Sequence, residues 1–296
     1  MESDDLTQRI AELGARVNGH PENVDEVVPQ LLALLDAHDD PRVIAEIIDA
    51  LGSSWDESAN LAVLTYARHP DPAIRLAVTR AIPGGTDSRA GMELVANALI
   101  RLSRDDADEI RDWATFGLGS NLPIDNDEVR EALVARLADV SADVRDEALV
   151  GLAHRRDRRA VNVVADSLAD DTVGPLVFEA AEYLADPALY EALVQWSTVN
   201  SADDLVLRAL RACDREYQAS RLQKHTALLA ALEQLLGDRD PSVGAAMSCD
   251  RDDVKVLLRI DGRQWVWSVE ALLERARDDV DEAARDVVAR LDAELD

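Results

Sequence analysis

The residues most able to do chemistry in this chain are short acidic clusters, a few scattered histidines, two cysteines and one basic run. Asp125-Asn126-Asp127-Glu128 and Asp250-Arg251-Asp252-Asp253 begin as calcium loops begin, with oxygen donors at alternate places. Neither goes on to the glycine and closing glutamate that such a loop requires, so helix capping explains them better. His38, His69 and Asp105 recur at turn positions 31 and 36 residues apart, which suggests a ladder of metal ligands. Packed helices lie roughly 8–10 Å apart, however, whereas ligands must converge to about 2 Å from one ion, so no metal site is expected there. His20, His154 and His225 have no companion ligands nearby in sequence. Cys213 and Cys249 lack a Cys-x-x-Cys spacing, so neither a zinc knuckle nor a disulfide framework is expected. The run His154-Arg155-Arg156-Asp157-Arg158-Arg159 would suggest phosphate contacts in a basic protein. In an acidic chain, pairing with acidic turns next to it is the simpler reading. Glycine-rich phosphate loops, nucleophile elbows and metalloprotease signatures are absent, so the expectation is a non-enzymatic protein without cofactors.

The elements that hold these residues follow from composition. With 47% apolar residues in 296 the chain can bury a substantial core, and 4% aromatics beside abundant Ala, Leu, Arg and Glu favour helices packed on helices. Acidic side chains number 59 against 31 basic ones, giving a net charge of −28. A field of that sign repels nucleic acid and anionic membranes, and leaves a basic protein as the expected partner. Solubility or adaptation to a salty cytoplasm would explain the same acidity, since Lys224 and Lys255 are the two lysines. No apolar stretch is long enough for a membrane span and the first residues are acidic, so a cytoplasmic location is expected.

Self-similarity organises the middle of the chain. Apolar anchors Val43, Ile74, Ile110, Val144 and Val173 each follow an acidic turn, at separations of 31, 36, 34 and 29 residues. Four, seven and eight residues after each anchor stand apolar or small residues: Ile47, Ala50, Leu51; Val78, Ala81, Ile82; Ala114, Gly117, Leu118; Ala148, Gly151, Leu152; Val177, Ala180, Ala181. This is one buried helical stripe written five times. Asp40-Pro41, Asp71-Pro72, Asp186-Pro187 and Asp240-Pro241 each supply an N-cap carboxylate before a proline at the first helical position. Second helices are predicted at 29–37, 54–68 (opened by a Ser54/Glu57 capping box), 89–103, 128–139 and 159–169, making each repeat a helical hairpin.

Ile110-Arg-Asp-Trp-Ala-Thr-Phe-Gly-Leu-Gly119 and Val144-Arg-Asp-Glu-Ala-Leu-Val-Gly-Leu-Ala153 resemble the second helix of HEAT and phycobilisome-lyase-type HEAT-like repeats. Arg75, Arg111 and Arg145 match the arginine that follows the anchor in that family, whereas Ile44 and Gly174 depart from it. The resemblance covers about Glu26 to Ala185 and implies an all-α, right-handed α-solenoid. It says little about function, because the family includes scaffolds, transport factors, lyase subunits and a few DNA glycosylases. The glycosylase branch would need a basic groove, which this composition does not offer.

The expected organisation is an N-terminal capping helix within 1–25, five repeats in 26–185, degenerate helical repeats in 186–240 and a C-terminal cap in 241–296. Val254 to Ile260 has strand composition, Asp261-Gly262 signals a tight turn, and Gln264-Trp265-Val266-Trp267 continues a β-hairpin with two tryptophans on one face. Helices are predicted at 269–277 and 281–295.

On the repeat helices, positions two and six after each anchor point away from the core stripe, toward the inner wall expected of such a stack. They are Ala45 and Asp49, Leu76 and Arg80, Asp112 and Phe116, Asp146 and Val150, Pro175 and Glu179, with Trp113 beside Phe116. An apolar strip edged by acids fits a basic or basic-apolar protein segment. Two other readings are open: an accessory or lyase-like subunit acting on a small molecule or chromophore, and an acidic inhibitor of a basic protein, of the immunity or nucleic-acid-mimic kind. Trp113 would alternatively pack as core between helices, and if Phe116 is core the surface must be sought elsewhere, first at Arg263 to Trp267.

Overall fold

The computed structural model describes residues 2–199, 204–237, 244–250, 253–260 and 263–295. Two compact units divide it at Cys213/Asp214, so the expected 186–240 segment is shared between them.

The first unit runs α1 (Glu2–Val17), α2 (Val24–Ala37), α3 (Pro41–Gly52), α4 (Glu57–Leu64), α5 (Pro72–Ala81), α6 (Arg89–Leu102), α7 (Asp108–Phe116), α8 (Asp127–Arg136), α9 (Ala142–His154), α10 (Arg159–Leu168), α11 (Pro175–Leu184), α12 (Tyr190–Val199) and α13 (Asp204–Cys213). Each odd-numbered helix packs on the next odd one, from α1 through α13. The even helices cover them as a second layer, joined mainly to their own hairpin partners. All of the periodic small and apolar positions predicted after the anchors are buried, from Ile47 to Ala181. Of the anchors, Ile74, Ile110 and Val144 are buried, while Val43 and Val173 are half-buried. Those two belong to the repeats that depart from the arginine pattern, and in the first of them Ile44 takes the core place.

Helix starts follow local hydrogen-bond chemistry. The Asp40, Asp71 and Asp186 carboxylates accept from Arg42, Ala73 and Ala188 N–H at 2.9, 2.8 and 3.0 Å. Asp240-Pro241 lies outside the described residues. The expected Ser54/Glu57 capping box is not used. Ser54 is buried and donates to the Leu51 carbonyl at 2.6 Å, and Asp56 caps α4 instead through Ala59 N–H at 2.9 Å. The second helix predicted to open at Pro29 begins earlier, and Pro29 lies inside α2.

Turns between successive hairpins repeat a left-handed residue at Trp55, Gly85, Arg156 and Ala185. At Gly85 the choice is forced twice: φ is 66°, and a Cβ there would sit 2.4 Å from the Trp55 carbonyl carbon. After the third hairpin a π-turn at Gly117–Asn121 replaces this geometry, and α9 crosses it where a Cβ on Gly151 would stand 2.5 Å from Gly119 Cα.

The second unit holds α14 (Arg215–Gly237), a three-stranded antiparallel sheet of β1 (Gly244–Asp250), β2 (Asp253–Ile260) and β3 (Arg263–Ser268), then α15 (Val269–Arg275) and α16 (Val280–Leu295). The predicted hairpin is present as β2 and β3, with Val256 opposite Trp267 and Leu258 opposite Trp265. Its turn, Asp261-Gly262, and the pair Arg251-Asp252 lie outside the described residues. Strand β1 was not expected: Gly244-Ala-Ala-Met-Ser has little β-branched or aromatic content, and pairing with β2 rather than propensity holds it. Trp265 and Trp267 pack partly buried on a core of their own unit, built from Leu228, Leu232, Val256, Leu258, Leu272 and Val287 among others. The Trp265 indole donates to Glu294 at 2.6 Å. Among the described residues no helix is long and apolar enough to cross a membrane.

Candidate functional site

The arginine after the anchor is a clamp between successive hairpins. Arg75 makes two hydrogen bonds to the Asp105 carboxylate, at 2.7 and 2.9 Å, and donates to the His69 and Pro70 carbonyls of its own turn. Arg111 repeats the pattern with Asp139 at 2.9 Å for each bond and with the Asp105 and Asp106 carbonyls. Arg145 reaches the Asp139 and Val140 carbonyls. Asp105, the third member of the His38/His69 ladder, is thus one half of an ion pair, and His69 Nδ1 accepts from Asp71 N–H. Among the described residues no group of three or more His, Cys, Asp or Glu could hold a metal.

The basic run is likewise absorbed by the fold. Arg155, 6% exposed at its side chain, donates to the carbonyls of Leu118, Gly119, Leu122 and Ile124 around the π-turn. Arg158 pairs with Asp186, and Arg159 with Asp157 and Glu131. Asn126 caps α8 by accepting from Val129 N–H, while Asp125 pairs with Arg130. Cys213 is buried with its thiol donating to the Ala181 carbonyl, and burial first, then Asp186, pushes its pKa up to about 12. A thiol held neutral in this way is a poor nucleophile, which weighs against lyase-type chemistry at Cys213.

The predicted surface residues divide into two groups. On α3 and α5, Asp49 and Arg80 are exposed and pair with each other at 2.9 Å, and Leu76 is half-buried. Desolvation, partly offset by Arg80, raises the Asp49 pKa. On α7, α9 and α11, Asp112, Asp146 and Glu179 are half-buried and gather around Glu147. Val150 does not reach the surface: it is 2% exposed and part of the core, because α9 is packed on both sides by α7 and α11. Trp113 is 37% exposed and meets half-buried Phe116 edge to face, with ring centroids 5.9 Å apart. The aromatic pair therefore sits at the surface rather than in the core.

Glu147 is the residue the periodic reading missed. It stands three after its anchor, where Trp113 stands in the preceding repeat, on the flank of the stripe rather than opposite it. Burial raises its pKa to about 7, with added repulsion from Asp112, Glu179, Asp146 and Asp143. Desolvation also raises Asp112 and Asp146. Asp112 Oδ1 is buried without a hydrogen-bond partner among the described residues, and Glu46 Oε2, also three after an anchor, is in the same state. His154 lies 3.8 Å from Glu179 and packs edge-on against Tyr183 at 4.1 Å between centroids.

Residues 28–119 match the family model described as HEAT repeats. That segment is a HEAT-repeat array. Over 95 residues the chain is 38% identical to Protein YibA of Escherichia coli (strain K12), covering 32% of this chain and 34% of that protein. YibA of Escherichia coli O157:H7 matches to the same extent. The chain thus spans about a third of the length of the curated relatives it matches. The X-ray structure of Escherichia coli YibA is similar with a TM-score of 0.43 and 19% identity, over 73% of this chain and 97% of that one. A designed armadillo repeat protein in complex with the peptide (KR)4 is similar with a TM-score of 0.39 and 16% identity, over 70% of this chain and 91% of that one. The two-layered helix packing continues beyond residue 119, through the Gly119/Gly151 crossing to α13.

Proposed function

We propose that the protein is a non-enzymatic HEAT-type binding module that takes a basic, or basic and apolar, protein segment on the face of α7, α9 and α11. One observation carries this reading. Asp112, Asp146, Glu147 and Glu179 crowd together half-buried beside the Trp113/Phe116 pair, and none has an ion pair with lysine or arginine among the described residues. Carboxylates left in this state cost stability, because burial disfavours their charge and each repels the others. A lysine or arginine from outside relieves both penalties at once, and the aromatic pair beside them gives an apolar anchor somewhere to bind. Net charge of −28 adds long-range attraction for a basic partner.

The test uses a labelled peptide that alternates Lys-Arg pairs with leucine, titrated by fluorescence anisotropy and stopped flow. Phe116→Ala should speed dissociation more than about tenfold, as loss of a central anchor does. Asp112→Asn with Asp146→Asn should slow association and flatten its salt dependence, while the melting temperature rises modestly as burial and repulsion of the charges are relieved. Absence of saturable binding to the unaltered protein rejects the module. If Phe116→Ala instead unfolds much of the protein while the folded remainder binds normally, Phe116 is core and the surface must be sought elsewhere, first at Arg263 to Trp267.

A further inference from the structure

On this acidic chain several arginines without a carboxylate partner line one cleft. A cleft of about 420 Å³ opens between the α4–α5 and α6–α7 turns, lined by Arg68, Arg75, Arg101 and Arg104 together with His69. Arg75 is committed to Asp105 by its two hydrogen bonds. Arg68, Arg101 and Arg104 have no ion pair or side-chain hydrogen bond among the described residues, although the chain carries 59 acidic side chains. Asp106 is the one carboxylate of the lining not already neutralised by Arg75. Burial lowers the Arg101 pKa, and the charge of Arg68 lowers it further. His69 Nδ1 is occupied as an acceptor, which leaves the proton on Nε2 and a donor available.

We propose that this cleft is an anion site for a phosphoryl dianion, free or carried as a phosphate monoester. Guanidinium forks match phosphate oxygens two at a time, and three such arginines without a carboxylate partner lining one opening leave a net positive lining for a doubly charged ligand. The volume lies in the range of small-molecule pockets and exceeds what a bare phosphate fills, so the ester is the better fit. Extended polyanions are not the ligand class. Over a nucleic acid or an anionic membrane the −28 net charge acts along the whole surface, whereas a compact dianion inside the cleft responds mainly to groups within a Debye length of about 8 Å. Arg101 in the last turn of α6, with Arg68 and Arg104 just beyond the ends of α4 and α6, can also complement helix-end carbonyls, and the experiment separates that role from ligand binding.

Inorganic phosphate and phenyl phosphate are titrated separately into the full-length protein, with chloride at matched ionic strength as the reference. Melting temperature and isothermal calorimetry are the readouts. A saturable rise in melting temperature with either probe, weakened about tenfold or more in Arg101→Gln and again in Arg68→Gln/Arg104→Gln, supports the site. Tighter binding of phenyl phosphate identifies an ester ligand, and equal binding identifies free phosphate. No effect beyond chloride, or an effect undiminished in the glutamine variants, overturns it. A helix-end role alone would lower the melting temperature of the variants without phosphate and give no saturable response in any of them. Peptide binding at Phe116 is read separately, so either result can fail without the other.

Discussion

Glu147 shows how a side chain three positions from an anchor comes to titrate near neutrality. It is held between Asp112 of α7 and Glu179 of α11, with Asp143 and Asp146 on its own helix, and burial raises its pKa from the ordinary 4.5 to about 7. The folded state therefore binds a proton that the unfolded chain has already released between those values. Stability should fall as pH rises from about 4.5 to 7 and then level off. Glu147→Gln removes that slope and should stabilise the protein at pH 8 by about 1 kcal/mol, after allowing for solvent screening of a partly exposed group. Chemical denaturation at pH 5 and pH 8 checks this, and an unchanged slope in the variant would place the titration elsewhere. The same proton matters for binding. If a basic segment docks here it requires the ionised carboxylate, so affinity should increase from pH 6 to pH 8 in the parent and stay flat in Glu147→Gln. Neither the crowding nor the pKa was legible in the sequence, because both arise from helices whose residues are some 30 positions apart. The pattern did place Asp112, Asp146 and Glu179, since each stands at a fixed offset from an apolar anchor. It misplaced Val150, whose offset is the same but whose helix is covered on both sides.

Between elements, ion pairs differ in what they hold. Arg111 and Asp139 are 10% and 5% exposed at their side chains, and Arg111 also satisfies two turn carbonyls. Arg111→Ala removes two charge-assisted bonds from Asp139, which keeps Arg136 and Ser141 N–H, and takes this donor from both carbonyls; it should cost about 1.5–3 kcal/mol. Arg89 and Glu93 are 92% and 54% exposed on α6, and Arg89→Ala should change the melting temperature little. The hydrogen bonds from Arg111 hold the Asp139 carboxyl below its ordinary range, so this clamp is fully present above about pH 4 and weakens as pH falls through the lowered value. Acid unfolding of Arg111→Ala should consequently be less steep than that of the parent. The helices themselves were readable, since periodicity, Asp-Pro caps and the arginine after the anchor all act locally. The cap of α4 was misread between Ser54 and Asp56 because both are good caps by type, and only burial of Ser54 decides for Asp56. Strand β1 was unreadable for the opposite reason, its structure being imposed by pairing.

At the scale of the molecule, the two units have separate hydrophobic cores, one running from Ile10 to Cys213 and the other from Leu228 to Leu291. A helical array such as the first gains stability repeat by repeat, each hairpin contacting mainly its neighbours. The second unit instead closes a small sheet against three helices, and its 83 residues from Asp214 to Asp296 are enough for an independent core. Melting should therefore show two transitions that respond separately. Leu152 is fully buried in the first core, and Leu152→Ala should cost about 2–5 kcal/mol, moving only the transition of the larger unit. Leu272 is 3% exposed in the second core, and Leu272→Ala should move only the other transition. For a unit of roughly 200 residues the first shift corresponds to about 4–20 °C. Scanning calorimetry of the parent and both variants reads this directly. One transition displaced by either substitution would mean that the cores unfold together, and the independence inferred from their separate residue sets would be lost.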